Sequence, residues 1–134
     1  MTKHELKSVL LLKYKIIEQE SYIEDLKHSA ENLVPAPSDM PRSLDITKRV
    51  ENLAIKLVDA ENKLAELRAQ LAQAKLNLIE KIFAEVSDPT LRKFVLLRYI
   101  ECLPYKDIAH RMKYTLRHVY RLREKFLNVT IWTA

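Results

Sequence analysis

The sequence contains no glycine at all among 134 residues. Gly-rich phosphate loops, nucleophile elbows and dinucleotide fingerprints need a backbone without Cβ at fixed points, so each of these is excluded. A single cysteine, Cys102, cannot form an intramolecular disulfide. With histidines scattered at 4, 28, 110 and 118, it cannot build a Cys-rich zinc site either. No long apolar run occurs: Val9 to Leu12 and Phe94 to Leu97 are four residues each, against roughly 20 needed to cross a bilayer. Lys13 and Lys15 interrupt the only stretch that could serve as the apolar region of a secretory signal. The expectation is a cytoplasmic protein with no membrane segment, no metal, no cofactor and no enzymatic activity. Paired carboxylates such as Glu24 with Asp25 fit a solvated helix face rather than a catalytic cleft.

What is present is apolar and charged material: 48% hydrophobic and 31% charged residues, enough for a folded core. The net charge of +5 is unevenly placed. Residues 1–86 are close to balanced, whereas residues 87–134 hold ten basic side chains against four acidic ones. A polyanionic partner would bind there.

The pattern divides the chain into 1–86, a helical hairpin, and 87–134, a compact basic domain. Thr2-Lys3-His4-Glu5 is a capping box that starts a helix running to about Leu33. Its apolar stripe is Val9, Leu12, Ile16, Ile23, Leu26, Ala30 and Leu33, broken at Gln19. Three prolines between Val34 and Ser43 make a loop. Ser43 or Asp45 can cap the next helix, in which Val50, Leu57, Leu64, Leu71 and Leu78 recur every seven residues with Leu53, Ala60, Leu67 and Ala74 between them. At 1.5 Å per residue the two helices span roughly 48 and 64 Å. Their stripes predict an antiparallel, coiled-coil-like hairpin. Two helices leave such a stripe half covered, so self-association into a homo-oligomer is expected, with a C-terminal helix as the alternative cover. Gln19 and Lys81, polar positions in the stripes, set register or lie at its edges.

Asp88 and Pro89 restart the chain as a cap and first-turn proline for a helix over 89–101, packing through Leu91, Phe94, Val95, Leu97 and Ile100. After the Leu103-Pro104 break, the run Pro104 to Leu122 reads as a helix-turn-helix. Ala109 is the small residue at the crossing; Ile108, Met112, Val119 and Leu122 fix the angle. Thr115 caps the second helix. Helical spacing puts Thr115, Val119, Leu122 and Phe126 on its core side and Arg117, Tyr120, Arg121 and Glu124 opposite, flanked by His118 and Lys125. Arg pairs bidentately with guanine edges or grips phosphate; Tyr120 and His118 can meet phosphates, thymine methyls or base edges. Lys106, Lys113 and Tyr114 would touch the phosphate backbone. Lys113 stands where such turns commonly hold glycine in a left-handed conformation. The plainer alternative is an amphipathic pair of helices with a solvated basic side. Cys102 is read as a small filler, and Trp132, in the tail Val129 to Trp132, as packing back on the helix over 91–101.

The run from Leu97-Arg98-Tyr99-Ile100-Glu101 to Phe126-Leu127 resembles region 4 of bacterial sigma factors. With the preceding hairpin and its Pro-Ser loop, the arrangement resembles the small sigma-like phage and prophage regulators of the ArpU and RinA type. Cys102 replaces the family's customary glycine, and Pro104 its customary Ser or Thr cap. The resemblance implies an all-α fold, groove reading by Arg117, His118, Tyr120 and Arg121, control of late or packaging-gene promoters, and bacterial RNA polymerase as a further partner. No aromatic-rich segment of the kind that captures flipped bases precedes residue 87, so melting of DNA by this chain alone is not expected. A terminase-like packaging protein and a polymerase-binding adaptor are the other readings of the same elements.

Overall fold

The computed structural model describes residues 1–32 and 43–129, and every regular element among them is helical. These are α1 (Lys3–Glu31), α2 (Ser43–Glu85), α3 (Pro89–Val95) continued by a π-helical turn (Leu96–Ile100), α4 (Tyr105–Met112) and α5 (Leu116–Val129). The proline-rich loop and the Trp132 tail lie outside the described residues. No described helix is long and apolar enough to cross a membrane.

Local chemistry starts these helices. The Thr2 Oγ1 accepts the Glu5 N–H at 3.1 Å and a Glu5 carboxylate oxygen accepts the Thr2 N–H at 2.9 Å, a completed capping box. The Asp88 carboxylate accepts the Thr90 N–H at 3.1 Å ahead of Pro89. Thr115 Oγ1 accepts the His118 N–H at 3.2 Å, opening α5.

The chain packs as two units, Met1–Lys13 with Gln70–Ala134, and Tyr14–Ala69. The charge boundary at residue 86 is therefore compositional, because the start of α1 and the end of α2 belong with the C-terminal helices. In that unit one buried cluster joins Leu6 and Val9 of α1, Leu78 and Ile82 of α2, Phe94 and Val95 of α3, Ile108 of α4, and Val119 and Phe126 of α5. The α1 and α2 contacts run in opposite chain directions: the Met1 amino group meets Glu85 at 3.0 Å, and Lys81 meets Glu5. Lys81, a break in the apolar repeat, thus serves as an ion-pair partner. In the other unit Ile16 and Ile23 are buried, as are Ala60 and Leu67. There Gln19 donates to the Ala60 carbonyl at 3.0 Å and Arg68 pairs with Glu20 at 3.3 Å. The amide at Gln19 meets a backbone acceptor on α2, which ties the register of the two helices at that height. Val50, at the far end of the repeat, is exposed.

The helix expected over 89–101 is corrected in form. After Val95 the turn widens, with the Glu101 N–H donating to the Leu96 carbonyl at 3.2 Å. In a regular α-helix Leu91, Phe94, Val95, Leu97 and Ile100 would spread over more than half the circumference. All five are nevertheless buried and belong to one cluster.

Two non-glycine residues adopt left-handed conformations, Cys102 at φ 57° and Lys113 at φ 58°. Each closes a helix. At Lys113 the Tyr114 N–H donates to the Ala109 carbonyl at 3.0 Å and the Lys113 N–H to the His110 carbonyl at 3.3 Å, a Schellman closure. Cys102 stands in a conformation that glycine adopts without strain. Pro104 starts α4 from ψ 156° with no side-chain cap. Its carbonyl accepts the Asp107 and Ile108 N–H groups, each at 3.1 Å. A left-handed residue with Cβ is strained by roughly 1–2 kcal/mol, partly offset in glycine by greater freedom of the unfolded chain. Lys113→Gly should therefore raise stability by about 0.5–1 kcal/mol, measured by urea unfolding. An unchanged midpoint would place the strain elsewhere.

Candidate nucleic-acid interface

α4 and α5 meet through a three-residue turn, 113–115, and share a buried side. Ile108 and Ala109 of α4 and Val119, Leu122 and Phe126 of α5 are all buried. Ala109 at this contact lets the helices approach, since a larger side chain would hold their backbones apart. Thr115 is corrected: it is exposed rather than on the core side, because the residue that caps a helix has left the helical path and its hydroxyl turns back to the His118 N–H.

Phe126 packs on Tyr99 with ring centroids 5.7 Å apart. Burial, reinforced by nearby Tyr105, pushes the Tyr99 phenol above its ordinary pKa. Tyr105 opens α4 and collects contacts from the π-helical turn and from α5. The Arg98 guanidinium lies 4.1 Å from its ring centroid and also donates to the Leu103 carbonyl at 2.9 Å, while Arg123 lies over the same ring at 5.8 Å. Tyr120 stacks on Tyr105 at 5.3 Å from α5 and remains partly exposed. At the turn, Tyr114 and His118 stack at 4.3 Å, leaving Tyr114 exposed and His118 half-buried.

Which cations are free decides what this surface can do. Arg92 donates to the Val86 carbonyl at 3.0 Å and covers Phe83; Arg111 pairs with Glu101 at 2.8 Å; Lys125 pairs with Asp88 at 2.9 Å. With Arg98 and Arg123 on Tyr105, these are structural. Lys93, Lys106, Lys113, Arg117 and Arg121 are exposed, and their side chains have no bonded or ring partner among the described residues. Four of these five stand on α4, α5 and the turn between them. Arg117 and Arg121 follow each other on α5 at a four-residue step, with Tyr120 beside them. Lys106 is in the first turn of α4, and Lys113 is at the helix-closing position.

Of the residues selected from the sequence, Lys106, Lys113, Tyr114, Thr115, Arg117, Tyr120 and Arg121 are exposed, and His118 is half-buried. Lys125 is exposed too, but its ammonium is committed to Asp88. The Asp88 contact was invisible in the sequence because the two residues lie 37 positions apart, Asp88 capping α3 and Lys125 lying on α5. The Arg98 and Arg123 clamp on Tyr105 was missed for the same reason. Neither arginine shares a helix with the ring.

The Lys125 ammonium, with help from the Thr90 N–H, holds the Asp88 carboxyl below its ordinary pKa, and Lys81 with the Thr2 N–H does the same for Glu5. Both ionised forms are favoured by folding, so this contribution is present above the unfolded-state values and is lost as pH falls through the lowered ones. The thermal midpoint should accordingly drop below about pH 4. Asp88→Asn, which keeps a capping oxygen and removes the charge, should show a shallower acid decline; an unaltered profile would mean that other carboxylates dominate.

Comparison with protein-family models, curated proteins and solved structures yields no match.

Proposed function

We propose that α4, the turn and α5 act as a helix-turn-helix of the sigma region 4 type, with α5 as the helix that enters the major groove. In the same reading α1 and α2 form a long antiparallel hairpin that carries this domain, and the chain is a sequence-specific duplex-DNA-binding transcriptional regulator. The resemblance of residues 97–127 to sigma region 4 extends this to phage or prophage promoters of late or packaging genes, with bacterial RNA polymerase as a second partner.

One observation carries the reading: Lys106, Lys113, Arg117 and Arg121, unpaired among the described residues, stand exposed on α4, α5 and their turn, beside a buried face that fixes both helices. Fixed cations on an exposed helix can trade solvent for phosphate and base edges without breaking internal contacts. Arg117 and Arg121 are assigned base edges; Tyr120 and His118, held by ring stacking, are assigned thymine methyls or phosphate. Lys106, Lys113 and Tyr114 set the docking register on phosphates, and Thr115 keeps the first turn of α5 in place. Lys125 reaches phosphate only by leaving Asp88.

Duplex binding titrated across a series of salt concentrations tests the reading. Affinity should fall linearly on a double-logarithmic plot. A flat dependence would leave the basic face without a nucleic-acid role. Unchanged transcription from a bound promoter in a purified system would separately remove the regulatory role.

A further inference from the structure

α2 carries a second apolar repeat that its own chain leaves open over most of its length. Every seventh residue from Ile55 forms one series: Ile55, Asn62, Ala69, Leu76 and Phe83. Val58, Ala65, Ala72 and Ile79 fall between them at steps of three and four, so the two series are the a and d positions of four heptads. This repeat is the Val50 to Leu78 repeat displaced by five residues, which at about 100° per residue sets the two seams about 140° apart around α2. The first seam supplies the buried Ala60, Leu67 and Leu78. On the second, Ile55 is 61%, Val58 55%, Leu76 57% and Phe83 50% exposed. The three alanines and Asn62 are also exposed; at the C-terminal end Ile79 is half-buried against the chain's own core, and the Arg92 guanidinium lies 4.4 Å from the Phe83 ring.

We infer that this second seam is a parallel, in-register coiled-coil interface with a second copy of the chain. A repeat sustained over four heptads, about 42 Å long, needs a partner helix with the same repeat over the same length. α2 of another copy supplies it by identity. Asn62 selects the partner and its direction. It is the single amide in an otherwise apolar seam, and its side chain has no hydrogen-bond partner among the described residues. In a parallel, in-register pair the two Asn62 amides meet at the same height and bond each other, the arrangement in which a lone Asn at an a position fixes register. In an antiparallel pair centred on the seam Asn62 would face Ala72 of the partner subunit and stay unpaired. Ala65, Ala69 and Ala72 let the backbones close in the middle, with larger side chains at both ends. On the flanks, Lys75 meets Glu80 of the partner subunit twice by symmetry, which offsets the opposition between Glu61 and Glu66 of the partner subunit. The two seams are far enough apart around the helix for α2 to keep its α1 contacts. This interface differs from the half-covered first stripe and is independent of the DNA-binding reading.

Sedimentation equilibrium of the full chain at tens of micromolar tests it. The expected result is twice the chain mass. Val58→Glu with Leu76→Glu should return the mass of one chain with the helix signal retained, because neither side chain belongs to the buried core. In a Cys102→Ser background, Ala69→Cys should oxidise to a covalent dimer, since facing a positions lie within disulfide reach. A single-chain mass for the unaltered protein, a dimer mass that survives both glutamates, or no cross-link at Ala69→Cys would each overturn the proposal. If the glutamate variant unfolds, the cross-link decides.

Discussion

Replacing Arg117 and Arg121 together by alanine should weaken binding to a specific duplex by about 30-fold or more. Each bidentate arginine–guanine pair contributes about 1–3 kcal/mol of discrimination, so two lost pairs amount to at least about 2 kcal/mol. Both side chains are exposed and have no partner among the described residues, so helix content and the unfolding midpoint should stay where they are. The contrast with the lysines makes the experiment specific. Lys106→Ala with Lys113→Ala should weaken binding evenly across sequences and reduce the slope of log affinity against log salt by about 2. Equal effects of the two double variants on cognate and scrambled duplexes would show that α5 reads charge alone.

The largest stability effect should come from Phe126→Ala, at about 3–5 kcal/mol in denaturant unfolding. Phe126 is fully buried where α5 meets α3, and it packs on Tyr99 at 5.7 Å. A domain with about 5–15 kcal/mol of total stability loses a large share with that ring. Duplex binding should fall as well, but in parallel with the folded fraction, and a stabilising osmolyte should restore both together. Recovery of the fold without recovery of binding would place Phe126 in the interface itself. The arginine pair should show the opposite signature, with binding lost and folding kept.

The caps were legible because each is settled within four residues: Thr2 with Glu5, Asp88 with Thr90, and Thr115 with His118 all bond as their spacing demands. The apolar periodicity was equally legible. It placed Val119, Leu122 and Phe126 inside, and Arg117, Tyr120 and Arg121 outside. The turn at Lys113 could be read from the helix pattern on either side, and its positive φ from the geometry such turns require. Where residues far apart in the chain had to compete for one partner, the sequence was silent. Lys125 looked as available as Lys106, yet Asp88 holds it; nothing in the sequence tied Arg98 and Arg123 to Tyr105, yet both lie over its ring. The π-helical turn at Leu96–Ile100 was also hidden, because propensity and apolar spacing both favour a continuous α-helix.

The sequence by itself determined that the described chain is helical, where most of its helices begin, and which side of each is apolar, since these follow from periodicities of three and four residues and from contacts within one turn. Only the tertiary structure decided which half of the C-terminal cations remains free. It also decided that the start of α1 and the end of α2 pack with the C-terminal helices, and that one of the two apolar seams on α2 stays open over most of its length. The reason is physical: an amphipathic pattern states that a face must be covered, but the covering surface and the pairing of charges depend on which distant segments reach the same place.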